Sequence, residues 1–95
     1  MSKIYLFVSV DILPGKKDQY LQELKSHLEK IRLEDGCESI EVFEEEGNSS
    51  QVHLWEVWSN RSAWDAHMTN ENSKAWQATA VGLVSGEKIT VLTRP

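Results

Sequence analysis

One cysteine, two prolines and five glycines are all that 95 residues hold of the types that staple, break or hinge a chain. Cys37 alone excludes an internal disulfide and suits a reducing cytoplasm. Next to Gly36 at a strand start, it reads as a small buried hydrophobe rather than a nucleophile. With so few breakers there is no linker, low-complexity stretch or close repeat, and residues 1–95 read as a single domain. Positive charge is also scarce. Ten Lys and Arg against fifteen Asp and Glu give a net charge of −5, and without a basic stripe to neutralise phosphates, general nucleic-acid binding is excluded. No apolar run approaches the roughly 18 residues of a membrane span. The opening stretch MSKIYLFVSVDIL alternates with Ser9 and Asp11 and lacks a small-residue cleavage site, so it reads as a strand rather than a leader. His27, His53 and His67 are not spaced as a zinc set, and neither CxxC nor HxxxH occurs. No Gly-rich phosphate loop, flavin fingerprint or haem-attachment motif is present either. Neither a metal nor a cofactor is expected.

What remains is ordered by periodicity. Lys3–Ile12 alternates, with Ile4, Leu6, Val8, Val10 and Ile12 on one face and Tyr5 and Phe7 on the other. Pro14-Gly15 ends that strand. Lys16–Leu33 is amphipathic: Tyr20, Leu24, Leu28 and Ile31 share a face, with Leu21 and His27 at its margins, and Asp35-Gly36 stops the helix. Cys37–Glu44 and Gln51–Trp58 read as a hairpin. Arg61–Val84 reads as helical with a break near Thr69–Asn72, and Lys88–Thr93 as a last strand after Gly86. The order βαββαβ predicts a ferredoxin-like α+β fold, an antiparallel sheet with its helices on one face. The other face keeps Tyr5, Phe7, Phe43, Trp55 and Val57, too much apolar area to leave wet, so a homodimer through the sheet face is expected.

The most informative stretch is Val52–His67, VHLWEVWSNRSAWDAH. It holds three of the four tryptophans, one glutamate and two of the three histidines at a strand-to-helix corner. Glu56 lies between Leu54 and Trp58 on one strand face, where a carboxylate is costly unless a partner donates to it or its pKa rises. Its structural reading is a hydrogen bond to the helix start near Arg61 or Ser62. Its chemical reading is orientation of a polar ligand. Trp58, Trp64 and Trp76 read either as core or as the walls of a cavity. His67 shares a helix face with Trp64 and either lines that cavity or closes the core, while His27 faces it from the first helix. Asp65 reads as solvated.

At these residues a resemblance becomes specific. Leu54-Trp55-Glu56-Val57-Trp58, then Ser59, Ala63 and Ala66-His67, resembles the antibiotic biosynthesis monooxygenase family. Pro14-Gly15, Asp35-Gly36-Cys37, Glu41-Val42 and Lys74-Ala75-Trp76 are similar in spacing, so the likeness covers nearly the whole chain. The resemblance implies a dimeric α+β barrel whose protomers each hold a pocket between helices and sheet. It also implies oxygenase chemistry that needs no metal, flavin or haem and acts on a small aromatic or quinol-like substrate and O2. The protein would supply a dry aromatic cavity, a base and hydrogen bonds to a developing anion. Carried onto this chain, His67 would be base or oxyanion donor, His27 and Glu56 would orient polar groups, and Trp58, Trp64 and Trp76 would bind substrate. There are departures. Many relatives have a second histidine after a Thr-Pro, where this chain has Asn72, followed by Ser73 in place of an aromatic. Val8 and Gln77 stand where the haem-degrading branch needs an asparagine and a histidine, which argues against haem breakdown. Two other functions fit the same pocket: isomerisation of a small keto compound with His67 as proton shuttle, and non-catalytic ligand binding by a dimer.

Overall fold

In the computed structural model, which describes residues 2–95, period-two alternation sets the sheet. Strand β1, Ile4–Ile12, buries every second residue. It pairs antiparallel with β3, Gln51–Trp58, on one side and with β4, Val84–Leu92, on the other. Strand β2, Cys37–Phe43, pairs with the free edge of β3, giving the order β2-β3-β1-β4. That order, with all the helices on one face, is the ferredoxin-like α+β arrangement expected from the sequence.

Helix α1, Lys17–Ile31, buries Tyr20, Leu24, His27, Leu28 and Ile31 against the sheet. It ends two residues earlier than its pattern suggests. Bonds from the amides of Leu33 and Glu34 to the Lys30 and Ile31 carbonyls tighten the last turn, and Leu33 is left in solvent. The second helical region divides into α2, Arg61–Thr69, and α3, Glu71–Ala80. The break falls on Asn70 alone, whose extended backbone ends one helix while its side chain accepts from the Ser73 amide to begin the next. Asn60 caps α2 in the same way through the Ala63 amide.

Strand β4 corrects the expected Lys88–Thr93 by starting four residues earlier. Gly86 lies inside the strand rather than before it. Pairing passes from Asp11↔Gly86 to Ile12↔Val84, so Ser85 is the extra residue of a β-bulge. A glycine in a strand marks such a bulge as readily as a break.

The hydrophobic core lies between sheet and helices, where Val52, Trp58, Leu6 and Val10 are among the least exposed side chains. Gly36 fixes the corner where the turn after α1 meets α2. Its φ of +84° is a left-handed value, and a Cβ there would collide with the Ala63 Cβ. Its carbonyl also accepts from the Ser59 amide at 2.8 Å. Gly36→Ala is therefore expected to cost about 2–4 kcal/mol in urea unfolding, combining left-handed strain with overpacking. Adding Ala63→Gly should return only the steric share; full recovery would mean that the backbone angle carries no strain.

Candidate functional site

Between α1, α2, α3 and the sheet lies a cavity of about 140 Å³. Its sheet side is built by alternation, since Leu6, Val8, Leu54 and Glu56 are the inward positions of neighbouring strands. The helices contribute aromatic and polar groups. Tyr20 and His27 come from α1, Trp64 and His67 from α2, and Trp76 and Ser73 from α3. Five of the six residues singled out in the sequence therefore meet at one chamber: Glu56, His67, His27, Trp64 and Trp76. The sixth, Trp58, does not. Its indole is wholly buried and lies outside the lining, so it is a backing group rather than a wall. A residue at the end of β3 under the start of α2 has no open space to face.

Trp58 holds two of the lining residues. Its Nε1–H donates to Glu56 Oε1 at 3.0 Å, and its ring stacks on that of His67 with centroids 4.7 Å apart. Glu56 therefore takes its structural hydrogen bond from the neighbouring inward residue of its own strand, not from the helix start near Arg61. Burial raises the Glu56 carboxyl above the usual glutamate range, partly offset by the Trp58 N–H and by His67.

His27 lies flat on Trp76, with ring centroids 4.7 Å apart and planes within 7°, while Tyr20 meets the same indole edge-on at 5.5 Å. Burial lowers the His27 pKa to about 4; the neighbouring His67 pushes it further down, and Glu34 pulls the other way. At neutral pH the ring is an uncharged surface. Burial likewise raises the Tyr20 phenol, which stays protonated. Trp64 is covered on its outer side by the Arg61 guanidinium, 4.6 Å from the ring centre. Asp65 is exposed and pairs with Arg61 at 3.1 Å.

The sequence reading missed the group that touches His67 most closely. Glu34, in the turn after α1, places Oε1 2.8 Å from His67 Nδ1, and both side chains are only 11% exposed. Asn70 donates to the same oxygen at 2.7 Å and Asn72 donates to Oε2 at 3.2 Å. The Ser73 hydroxyl donates to the His67 carbonyl. The polar cluster at 69–72 was visible as a helix break. Nothing in the spacing linked it to a glutamate more than thirty residues upstream.

The antibiotic biosynthesis monooxygenase sequence profile matches residues 4–79. The chain belongs to the antibiotic biosynthesis monooxygenase family. A Synechocystis relative, "Uncharacterized protein sll1783", is 32% identical over 59 residues, covering 62% of this chain and 40% of its own. The chain spans still less, 20–23%, of several other curated relatives. A Bacillus subtilis protein named "Putative monooxygenase YcnE" is 24% identical over 90 residues and is matched over 95% of both chains. Among solved structures, PA3566 from Pseudomonas aeruginosa superposes with a TM-score of 0.91 at 21% identity, covering 100% of this chain and 96% of that one. The two share one fold. Among the described residues, no helix is long and apolar enough to cross a membrane.

The His27 environment makes stability depend on pH. A free imidazole titrates near 6.5, whereas this one titrates near 4 in the fold. Between those values the unfolded chain binds a proton that the folded chain refuses, so the contribution of His27 falls as pH drops from ~6.5 to about 4, then levels off. The stability difference between wild type and His27→Gln should shrink by about 2 kcal/mol from pH 7 to pH 4 in urea titrations. Parallel pH profiles would mean that the ring protonates freely inside the protein.

Proposed function

We propose that this protein is a cofactor-independent monooxygenase acting with O2 on a small, single-ring phenol or quinol. The observation that carries this reading is the cavity. Its volume, about 140 Å³, is close to the roughly 150 Å³ that holds one benzene ring in an engineered apolar site. It brings an imidazole and a buried carboxyl together between indole walls. Family membership supports a monooxygenase-like activity in general, as does the name of the Bacillus subtilis relative.

In this mechanism His67 accepts the phenolic proton, and the electron-rich ring then donates to O2. For a hydroquinone, a new bond forms between ring carbon and oxygen, the O–O bond breaks, and the products are a hydroxyquinone and water. Atoms and electrons balance without an added reductant. Glu56, with its raised pKa, orients a ring oxygen and can return a proton to the departing one. His27, stacked on Trp76, offers a neutral flat surface to the ring, and Trp64 closes the other side. Trp58 keeps Glu56 and His67 in register from behind. Water exclusion protects the reactive anion.

Oxygen uptake with one-ring hydroquinones should exceed buffer autoxidation, and a naphthalenediol should react more slowly. His67→Ala should lower the enzymatic rate by about 10²–10⁴-fold with little change in thermal unfolding. Equal rates in the variant would remove His67 from the mechanism. Turnover of a keto substrate under nitrogen would favour isomerisation, and solid packing that admits no phenol would leave ligand binding and catalysis both without support.

We also infer a homodimer through the uncovered sheet face. Phe7 and Phe43 are 40% and 50% exposed there, beside Trp55, Val57 and Tyr5, and family members commonly pair. Its half-buried lone cysteine suits a reducing cytoplasm, the compartment this reading assigns. Sedimentation velocity at micromolar protein should give twice the 10.9 kDa chain mass, and Phe7→Glu should shift the species to monomer. A monomeric wild type would overturn the inference.

A further inference from the structure

The Glu34 carboxylate has more partners than a surface turn residue needs. It sits in the turn between α1 and β2, yet its contacts come from α2, from the joint between α2 and α3, and from the first turn of α3. Both oxygens are engaged, Oε1 by His67 and Asn70 and Oε2 by Asn72.

The direction of these hydrogen bonds can be deduced from Asn70. Its Oδ1 accepts from the Ser73 amide at 2.9 Å, the cap that starts α3. The Asn70 amide therefore cannot be turned over, and Nδ2 must face Glu34 as a donor. With Glu34 ionised, Oε1 can only accept. His67 Nδ1, facing that same oxygen at 2.8 Å, has to carry a proton. In the neutral imidazole the lone pair then resides on Nε2, on a ring whose residue lines the cavity. Ring rotation is restricted as well by Trp58 stacked on one face, while the Ser73 hydroxyl holds the His67 backbone carbonyl.

We propose that Glu34, locked by Asn70 and Asn72, is a positioning residue that sets the tautomer of His67 and presents Nε2 as the proton acceptor. This rests on the reading of His67 as the base. Glu34 does not touch the substrate; it acts through the imidazole, as the carboxylate of a hydrolase triad orients its histidine. The Asn70-Glu71-Asn72 segment, which departs from relatives with a second histidine, gains a role here as the clamp on the carboxylate.

The tautomer can be read without turnover. In long-range proton–nitrogen spectra of histidine-labelled protein, neutral His67 should appear with Nδ1 protonated and Nε2 bare. Glu34→Ala, which removes the acceptor facing Nδ1, should give a mixture in which the Nε2–H form is substantial. The variant should also lower kcat for hydroquinone oxidation on the order of 10–10³-fold with KM nearly unchanged. A wild-type spectrum showing the Nε2–H form overturns the proposal by itself, even if the variant fails to fold. An Ala variant that keeps Nδ1–H as fully as the wild type also overturns it. A shifted tautomer in a protein that oxidises no phenol would support the role of Glu34 while removing the oxygenase reading.

Discussion

The site depends on the close approach between Gly36 and Ala63. A left-handed glycine with no side chain lets the turn after α1 lie directly against the first turn of α2. The bond from the Ser59 amide to the Gly36 carbonyl and that from the Arg32 guanidinium to the Ile40 carbonyl at 3.0 Å fasten the turn from both ends. Glu34, two residues before the glycine, is thereby delivered to His67. A side chain at position 36 would move α2 away from the turn and separate the carboxylate from the imidazole. A steric allowance of one methyl group thus sets an electrostatic contact across two elements.

The second constraint is that the chamber is polar where it is buried. Glu56 and His27 both lie where a charge is costly, and each responds in the direction that removes charge: the carboxyl is raised, the imidazole lowered. His67 instead meets a carboxylate, Glu34, at 2.8 Å. Two histidines on the same cavity therefore have different surroundings, one stacked on an indole and the other also facing a carboxylate. Environment, not residue type, separates them.

Much of this was legible in the chain. Alternation in Ile4–Ile12 and Gln51–Trp58 located two central strands to within a residue, because period two survives wherever one face is buried. The inward run of Tyr20, Leu24, Leu28 and Ile31 marked α1 to within two residues. Five cavity residues could be named since aromatic and titratable side chains at inward positions are uncommon. Three things were not legible. The start of β4 was hidden by Gly86, which serves a bulge. Trp58 looks like any other inward tryptophan until the space in front of it is known. Glu34 lies in the turn after α1, and its partnership with Asn70 and Asn72 exists only after the Gly36 corner has folded.

Asn70 does three jobs with one side chain and one peptide unit. It terminates α2, initiates α3 through the Ser73 amide, and holds the Glu34 carboxylate. A mutational scan read only by activity would score position 70 as a hot spot without separating folding from chemistry. Drift at that position is correspondingly hemmed in, because an exchange that kept the acceptor for the helix start would still have to supply a donor pointing the other way. Few side chains other than a short amide can do both.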